Sequence, residues 1–297
     1  MANYKSLRRY YLIIEKLQEG KNASFRSIAK HLNANDVEIS ERTLQRDIAQ
    51  IRADFGVDII YDKPANGYRI DETSSTNLPS FYRFLELTLT TELLREQLKE
   101  KHTLLNHIQF EPIESLKGHE NLKFILDAIL LKRWIKFQYT RFDEDSTKTH
   151  EAIPCLLKRY QNRWYLIAKL KSNRIVTFGI DRISDLKKTS STYKEDDLIF
   201  PEGLNSVVGL NYTGEPMRVV LEADELQSKY LLSLPLHHSQ RVLNASKKST
   251  RFEYLLIPNY ELIQAILKLG DQIKVIEPKE LKDEVVATLK RTLQQYK

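Results

Sequence analysis

The run Ser40-Glu41-Arg42-Thr43-Leu44-Gln45-Arg46-Asp47 places two guanidinium forks and an amide within little more than one helical turn. On a helix, Leu44, Ile48, Ile51 and Phe55 fall in one narrow arc that must be buried. Arg42, Arg46 and Ala49 lie opposite, with Gln45 and Arg52 at the flank. Guanidinium forks suit the O6 and N7 acceptors of guanine, and a side-chain amide suits N6 and N7 of adenine. The small Ala49 permits close approach. Thr43, in the first turn, suits a phosphate, as do the free N–H groups of a helix N-terminus. A carboxylate beside phosphate is repelled, so Asp47 is expected to pair with a nearby basic group and orient the helix. Directly after this helix, Lys63 and Arg69 surround Asn66-Gly67, a hairpin signal, and are placed to grip a sugar-phosphate backbone or a minor groove.

A second constellation lies further along. The stretch 132–200 holds 15 Lys or Arg against 9 Asp or Glu, an excess equal to the +6 of the whole chain. A compact basic block attracts polyanions. Within it, Arg163-Trp164-Tyr165-Leu166 alternates as a strand does. Trp164 and Leu166 share the face expected to fill a core. Tyr165 shares the other with Arg163 and Lys169. An aromatic ring beside cations suits a nucleotide, whose base stacks while its phosphate is paired.

Catalytic chemistry finds no support in the sequence. Cys155 and His150, five residues apart on a strand, point to opposite faces. His237 and His238 are adjacent, so their rings diverge, and no carboxylate stands at ligand spacing. No phosphate-cradling glycine loop or nucleophile elbow occurs. The acidic clusters Asp143-Glu144-Asp145 and Glu195-Asp196-Asp197 read as solvated turns. Neither enzyme activity, cofactor nor metal is expected. One cysteine in 297 residues excludes an internal disulfide framework. No run of about 18 apolar residues exists, so no membrane span is expected. The polar, basic Met1–Tyr11 lacks an apolar signal core, which points to the cytoplasm.

The elements that position these residues fall into four segments. Residues 1–72 read as three helices and a hairpin. Leu7, Tyr10, Tyr11, Ile14 and Leu17 line the first helix, which Gly20 ends. Ser24 and Ser40 cap the second and third, and Gly56 closes the third. Strands are expected at Asp58–Tyr61 and Tyr68–Ile70. Residues 73–131 open with a polar linker and continue as helices at 79–100 and 119–131, the latter with Leu122, Ile125, Leu126, Ile129 and Leu130 on one side. Residues 132–200 give about five short strands with the rhythm of a small antiparallel barrel. Residues 201–297 read as an α+β layer alternating strand and helix, with strands at Met217–Ala223, Thr250–Pro258 and Gln272–Glu277. The fold class is thus multidomain α+β.

Two stretches bear a wider likeness. Residues 40–47 resemble the recognition helix of a winged helix-turn-helix. Trp164-Tyr165-Leu166, followed by Arg174, Phe178 and Asp181-Arg182-Ile183, resembles the WYL domain. The end of the chain, with Leu269-Gly270 and Val275-Ile276-Glu277-Pro278, resembles the extension that often follows it. The resemblance covers nearly the whole chain and implies an N-terminal winged helix-turn-helix, a helical linker, a small Sm-like β-barrel and a C-terminal α+β extension. It implies a ligand-responsive transcription regulator, a homodimer on a double-stranded DNA operator, sensing a nucleotide or single-stranded nucleic-acid effector. Such regulators often control phage-defence or DNA-damage genes. Carried over as the pocket are Tyr139, Tyr165, Arg174 and Arg182, with Arg163 from the same row and Lys158 and Arg159 from the neighbouring strand. The residues alone leave Tyr139 between core and ligand, and Arg182 between ligand and an ion pair with Asp181. The alternative is a non-specific nucleic-acid-binding module that uses the basic barrel without operator specificity.

Overall fold

Serine side chains start two of the first three helices by accepting a backbone N–H that the helix leaves unpaired. Ser24 accepts from Ser27 and Ser40 from Thr43, each at 3.2 Å. The computed structural model describes residues 4–19, 22–75, 78–100, 108, 117–142, 146–194, 197, 200 and 202–297. Gly20, Thr76, Asn77, the cluster Asp143-Glu144-Asp145, and Glu195 and Asp196 lie outside them. The chain divides into two units, Met1–Glu111 and Pro112–Lys297.

In the first unit, α1 (Tyr4–Gln18), α2 (Phe25–Asn33) and α3 (Glu41–Phe55) precede a hairpin of β1 (Ile59–Asp62) and β2 (Gly67–Ile70), then α4 (Leu78–Glu100). Leu7, Tyr10, Ile14 and Leu17 are buried with Ile28, Leu32, Leu44 and Ile51, while Gly56 in the left-handed conformation ends α3. Tyr11 is exposed instead, its hydroxyl donating to Glu15; Leu12 and Ile13 are buried in its place. The hairpin turn is Lys63–Asn66, with Asn66 at φ 48°, so Gly67 is not a turn residue. Gly67 stands at a close approach: a Cβ there would sit 3.1 Å from the Ala23 backbone, tighter than an ordinary contact. Ala23 and Tyr68 exchange both backbone hydrogen bonds, at 2.9 and 2.8 Å, tying the entrance of α2 to the hairpin. Phe81 and Leu85 of α4 are buried in this same core, so α4 begins as part of the first unit.

The second unit begins with α5 (His119–Leu130). It packs on a five-stranded antiparallel sheet of β3 (Arg133–Thr140), β4 (Thr147–Tyr160), β5 (Arg163–Leu170), β6 (Ile175–Gly179) and β7 (Ile183–Thr192). The 73–131 stretch is therefore shared between two cores rather than forming its own. On α5 the buried residues are Ile125 and Ala128; Leu126 and Leu130, expected on the same side, are exposed. The strand order is β6-β5-β4-β3-β7, and no pairing joins β6 to β7 among the described residues. Ile135, Phe137, Leu166, Ala168 and Phe178 form the core between sheet and helix. Trp164 is only partly buried against it. Arg182 sits in a one-turn 3-10 helix (Ile180–Arg182) between β6 and β7.

After a connecting stretch come β8 (Met217–Asp224), α6 (Glu225–Ser233), β9 (Arg241–Ala245), β10 (Ser249–Leu256), α7 (Tyr260–Lys268), β11 (Ile273–Glu277) and α8 (Lys279–Gln294). The sheet order is β11-β8-β10-β9. Val219, Leu221, Phe252, Tyr254 and Val275 face the helices. The opposite face bears ion pairs of Arg218 with Glu253 and Glu277, and of Glu222 with Arg251 and Lys274. Strand β9 was absent from the expected pattern. All five of its residues are exposed at the sheet edge, so no apolar alternation marks it.

Candidate nucleic-acid interface and candidate ligand pocket

On α3, burial of Leu44 and Ile51 turns Arg42, Gln45, Arg46 and Ala49 outward, all exposed. Neither Arg42 nor Arg46 is ion-paired among the described residues. Thr43 is engaged at the cap, its hydroxyl 2.9 Å from Ser40 Oγ. Tyr68 of β2 is buried, and burial raises its pKa, with Gln45 a small opposing influence. At the flank, Arg52 pairs with Asp58. Asp47 points inward, its side chain only 3% exposed. Arg9 of α1 grips it from two nitrogens, at 2.7 and 3.0 Å. That bond with Asp47 raises the Arg9 pKa against the opposing effect of burial. A bidentate guanidinium–carboxylate pair fixes the rotation of α3 against α1. Lys63 stands exposed at the hairpin turn. Arg69, half-buried on β2, faces a groove of about 870 Å3 that it shares with Glu19, Asp62, Asp71 and Glu72.

The second unit holds a cavity of about 600 Å3 at one end of the five-stranded sheet. Its floor is aromatic: the Tyr139 and Phe178 rings meet edge-to-face at 4.9 Å, and His150 lies 5.0 Å from Phe178. Arg141, Lys148, Arg174 and Arg182 supply cations. Arg182 is the most enclosed, with a side chain 22% exposed. Its guanidinium carbon lies 5.1 Å from the Tyr139 ring centre and 4.3 Å from that of Phe142. Its Nε is buried, without a hydrogen bond among the described residues, 3.9 Å from Asp181. Gly179 makes this placement possible, since a Cβ there would meet Arg182 Nη2 at 2.7 Å. The Gly179 N–H donates to the Tyr139 hydroxyl at 3.3 Å. Burial raises the Tyr139 pKa, against smaller opposing effects of that bond and of Arg182. Burial, then Lys148, lowers that of His150, so its imidazole is neutral near pH 7.

Of the residues singled out in the sequence, Tyr139, Arg174 and Arg182 line this cavity together. Arg163 is not among the lining residues; it lies 4.0 Å from Asp181, and its guanidinium carbon is 6.0 Å from the Phe142 ring centre. Tyr165, expected in the pocket, does not line the cavity; it stands opposite Gly179 on the neighbouring strand, half-buried, and burial raises its pKa. Lys158 and Arg159 do not line the cavity. Arg159 is exposed opposite Trp164. Lys158 is half-buried near Glu261 of α7; burial lowers its pKa and Glu261 opposes the shift. Lys148, His150 and Phe142 were missed. The first two face Tyr139 and Phe137 across the β3–β4 register, a signal readable only once β4 is known to start at Thr147. Lys169 is buried and donates to the Asp197 carbonyl at 3.1 Å. Cys155 is buried beside Ile153 and Tyr193, where burial pushes the thiol pKa up. His150 lies instead in the cavity.

These features define a multidomain α+β protein with an arginine-bearing helix in one unit and a cationic, aromatic cavity in the other. Family comparison is specific. The WYL domain matches residues 120–188 and the WCX domain residues 215–293. The chain thus carries a WYL domain, which begins in α5, followed by a WCX domain. Comparison with curated protein sequences gives no match. Among solved structures, proteasome accessory factor B/C (PafBC) of Arthrobacter aurescens is similar over 98% of this chain, at 14% identity and a TM-score of 0.31. This chain spans 48% of that one, just under half its length. A CRISPR Cas-related protein is similar over 98% of this chain and 82% of its own, at 14% identity and a TM-score of 0.40. No described helix is long and apolar enough to cross a membrane.

Proposed function

We propose that the chain is a cytoplasmic, ligand-responsive transcription regulator rather than an enzyme. The first unit is read as a winged helix-turn-helix, with α3 in the major groove and the β1–β2 hairpin as the wing. The five-stranded sheet is read as an Sm-like barrel whose cavity receives a nucleotide or single-stranded nucleic-acid fragment. The observation that carries the DNA-reading half is the division of labour on α3. Arg42 and Arg46 stand outward, without an ion-pair partner among the described residues, while Asp47, next in sequence to Arg46, is locked to Arg9 behind them. A rigid helix with free guanidinium forks is what base-edge reading requires.

Two copies are expected to act together as a repressor on an inverted repeat, with half-sites about 10 bp apart or a multiple of that. Support for pairing comes from α4, where Phe84, Leu87 and Leu93 are exposed. Effector binding regulates DNA affinity only insofar as it favours one arrangement of the dimer over another.

The test is footprinting of the full chain on the DNA upstream of its own gene. A discrete protected palindrome, altered by added oligonucleotide, is the expected result. Uniform affinity across duplex sequences would replace this reading with that of a non-specific nucleic-acid-binding module.

A further inference from the structure

Phe142 follows β3 and is 73% exposed, so its ring contributes little to the core. Yet it is not isolated. The Arg182 guanidinium lies 4.3 Å from its ring centre and that of Arg163 6.0 Å away. The same ring lines the 600 Å3 cavity beside Tyr139 and Arg174. An apolar ring kept in water, next to cations that bind phosphate, presents a flat face for a second planar group. Tyr139 does not offer the same surface, because it is buried among Phe137, Phe178 and Ile183.

We propose that Phe142 is the base-stacking residue of the cavity and decides that it takes nucleobase-bearing ligands rather than bare phosphates. This inference rests on the reading of the cavity as a nucleotide site. It assigns separate tasks to neighbouring groups. Arg182, whose guanidinium carbon lies 5.1 and 4.3 Å from the Tyr139 and Phe142 ring centres, holds phosphate whatever is attached to it. Phe142 adds affinity only when a base is present to stack on it. Because the ring is exposed, its removal leaves the core intact.

Calorimetric titration of the full chain tests this with two probes, tetrathymidylate and an abasic oligomer of the same length. Phe142→Ala is expected to weaken tetrathymidylate about 5- to 150-fold, the range supplied by one base–aromatic stack, and to leave the abasic oligomer within about twofold. Phe142→Tyr is expected to retain tetrathymidylate binding. Arg182→Gln is expected to weaken both probes alike. Equal loss of both probes in Phe142→Ala, or no loss of tetrathymidylate, would overturn the assignment of Phe142. A wild-type chain that binds neither probe would overturn the nucleotide reading of the cavity itself, and this inference with it.

Discussion

The outer face of α3 and the cavity of the five-stranded sheet both gather arginines, but treat them in opposite ways. On α3 the guanidinium groups of Arg42 and Arg46 are exposed, and the buried charged group is Asp47 behind them. In the cavity the arginine itself is packed: Arg182 lies against two aromatic rings and the Gly179 backbone. The difference follows from the two tasks. A groove-reading side chain must adapt to base edges while its helix stays fixed. An anion pocket gains most from a guanidinium whose position is already set and whose donors are partly desolvated. In one region the fold preorganises the backbone; in the other it preorganises the side chain.

The sharpest way to break this contrast is to release α3. Asp47→Ala leaves the Arg9 guanidinium without its carboxylate in a mostly buried position. A loss of about 3 kcal/mol is expected for a buried pair stripped of one partner. Urea unfolding of the first unit, followed by hydrogen exchange, reads the loss. Unchanged protection of α3 would show that Asp47 does not anchor the helix. By contrast, Arg42→Ala should leave stability unchanged and cost about 1–3 kcal/mol on the operator, with little effect on random duplex. Equal loss on both DNAs would make Arg42 a phosphate contact.

In the cavity the corresponding change is Gly179→Ala. Its φ of −67° suits any residue, so the backbone bears no strain. The new methyl group would displace only the flexible ends of Arg182 and Asp181. Folding should persist while tetrathymidylate binding weakens by roughly tenfold, about the worth of one charge-assisted hydrogen bond. Undiminished affinity would show that the position of Arg182 does not matter, and the contrast between the two regions would fall.

How far each region could be read from the sequence depends on the range of the contacts that build it. The α3 face is written within one helix: Leu44 and Ile51 repeat on one side, and Ser40 and Gly56 mark its ends. What the sequence did not show was the partner of Asp47, because Arg9 lies on another helix. The cavity is harder, since it arises from register. Arg174 and Arg182 were reached through the WYL resemblance. Lys148 and His150 sit in the polar run Thr147-Lys148-Thr149-His150, which carries no strand signal until it is paired with β3. The α5 face was misjudged for a related reason. Leu122, Leu126 and Leu130 recur every four residues beside Ile125 and Ile129, so the apolar face is wide, and only packing on the sheet selects Ile125 and Ala128 over Leu126 and Leu130.

The smallest expected effect separates the two units by acid. His237, in the second unit, has its pKa lowered from 6.5 to about 4, mainly by burial and then by His238, with Lys158 acting in the same direction. A backbone bond involving Asn205 opposes the shift. Between those values the unfolded chain takes up a proton that the folded chain refuses, so stability falls as pH drops from 6.5 toward 4. His150 adds to the loss with the same sign, its pKa also lowered by burial. Discounted for the partial exposure of His237, the second unit should lose about 1 kcal/mol between pH 7 and 5. Hydrogen exchange read separately over the two units measures this. The expected result is a pH-dependent loss of protection in the strands of the second unit, reduced in His237→Asn. An unchanged slope in that variant would move the acid response to His150 and hence to the cavity. Ligand binding would then suppress it, because a phosphate beside His150 favours the protonated imidazole.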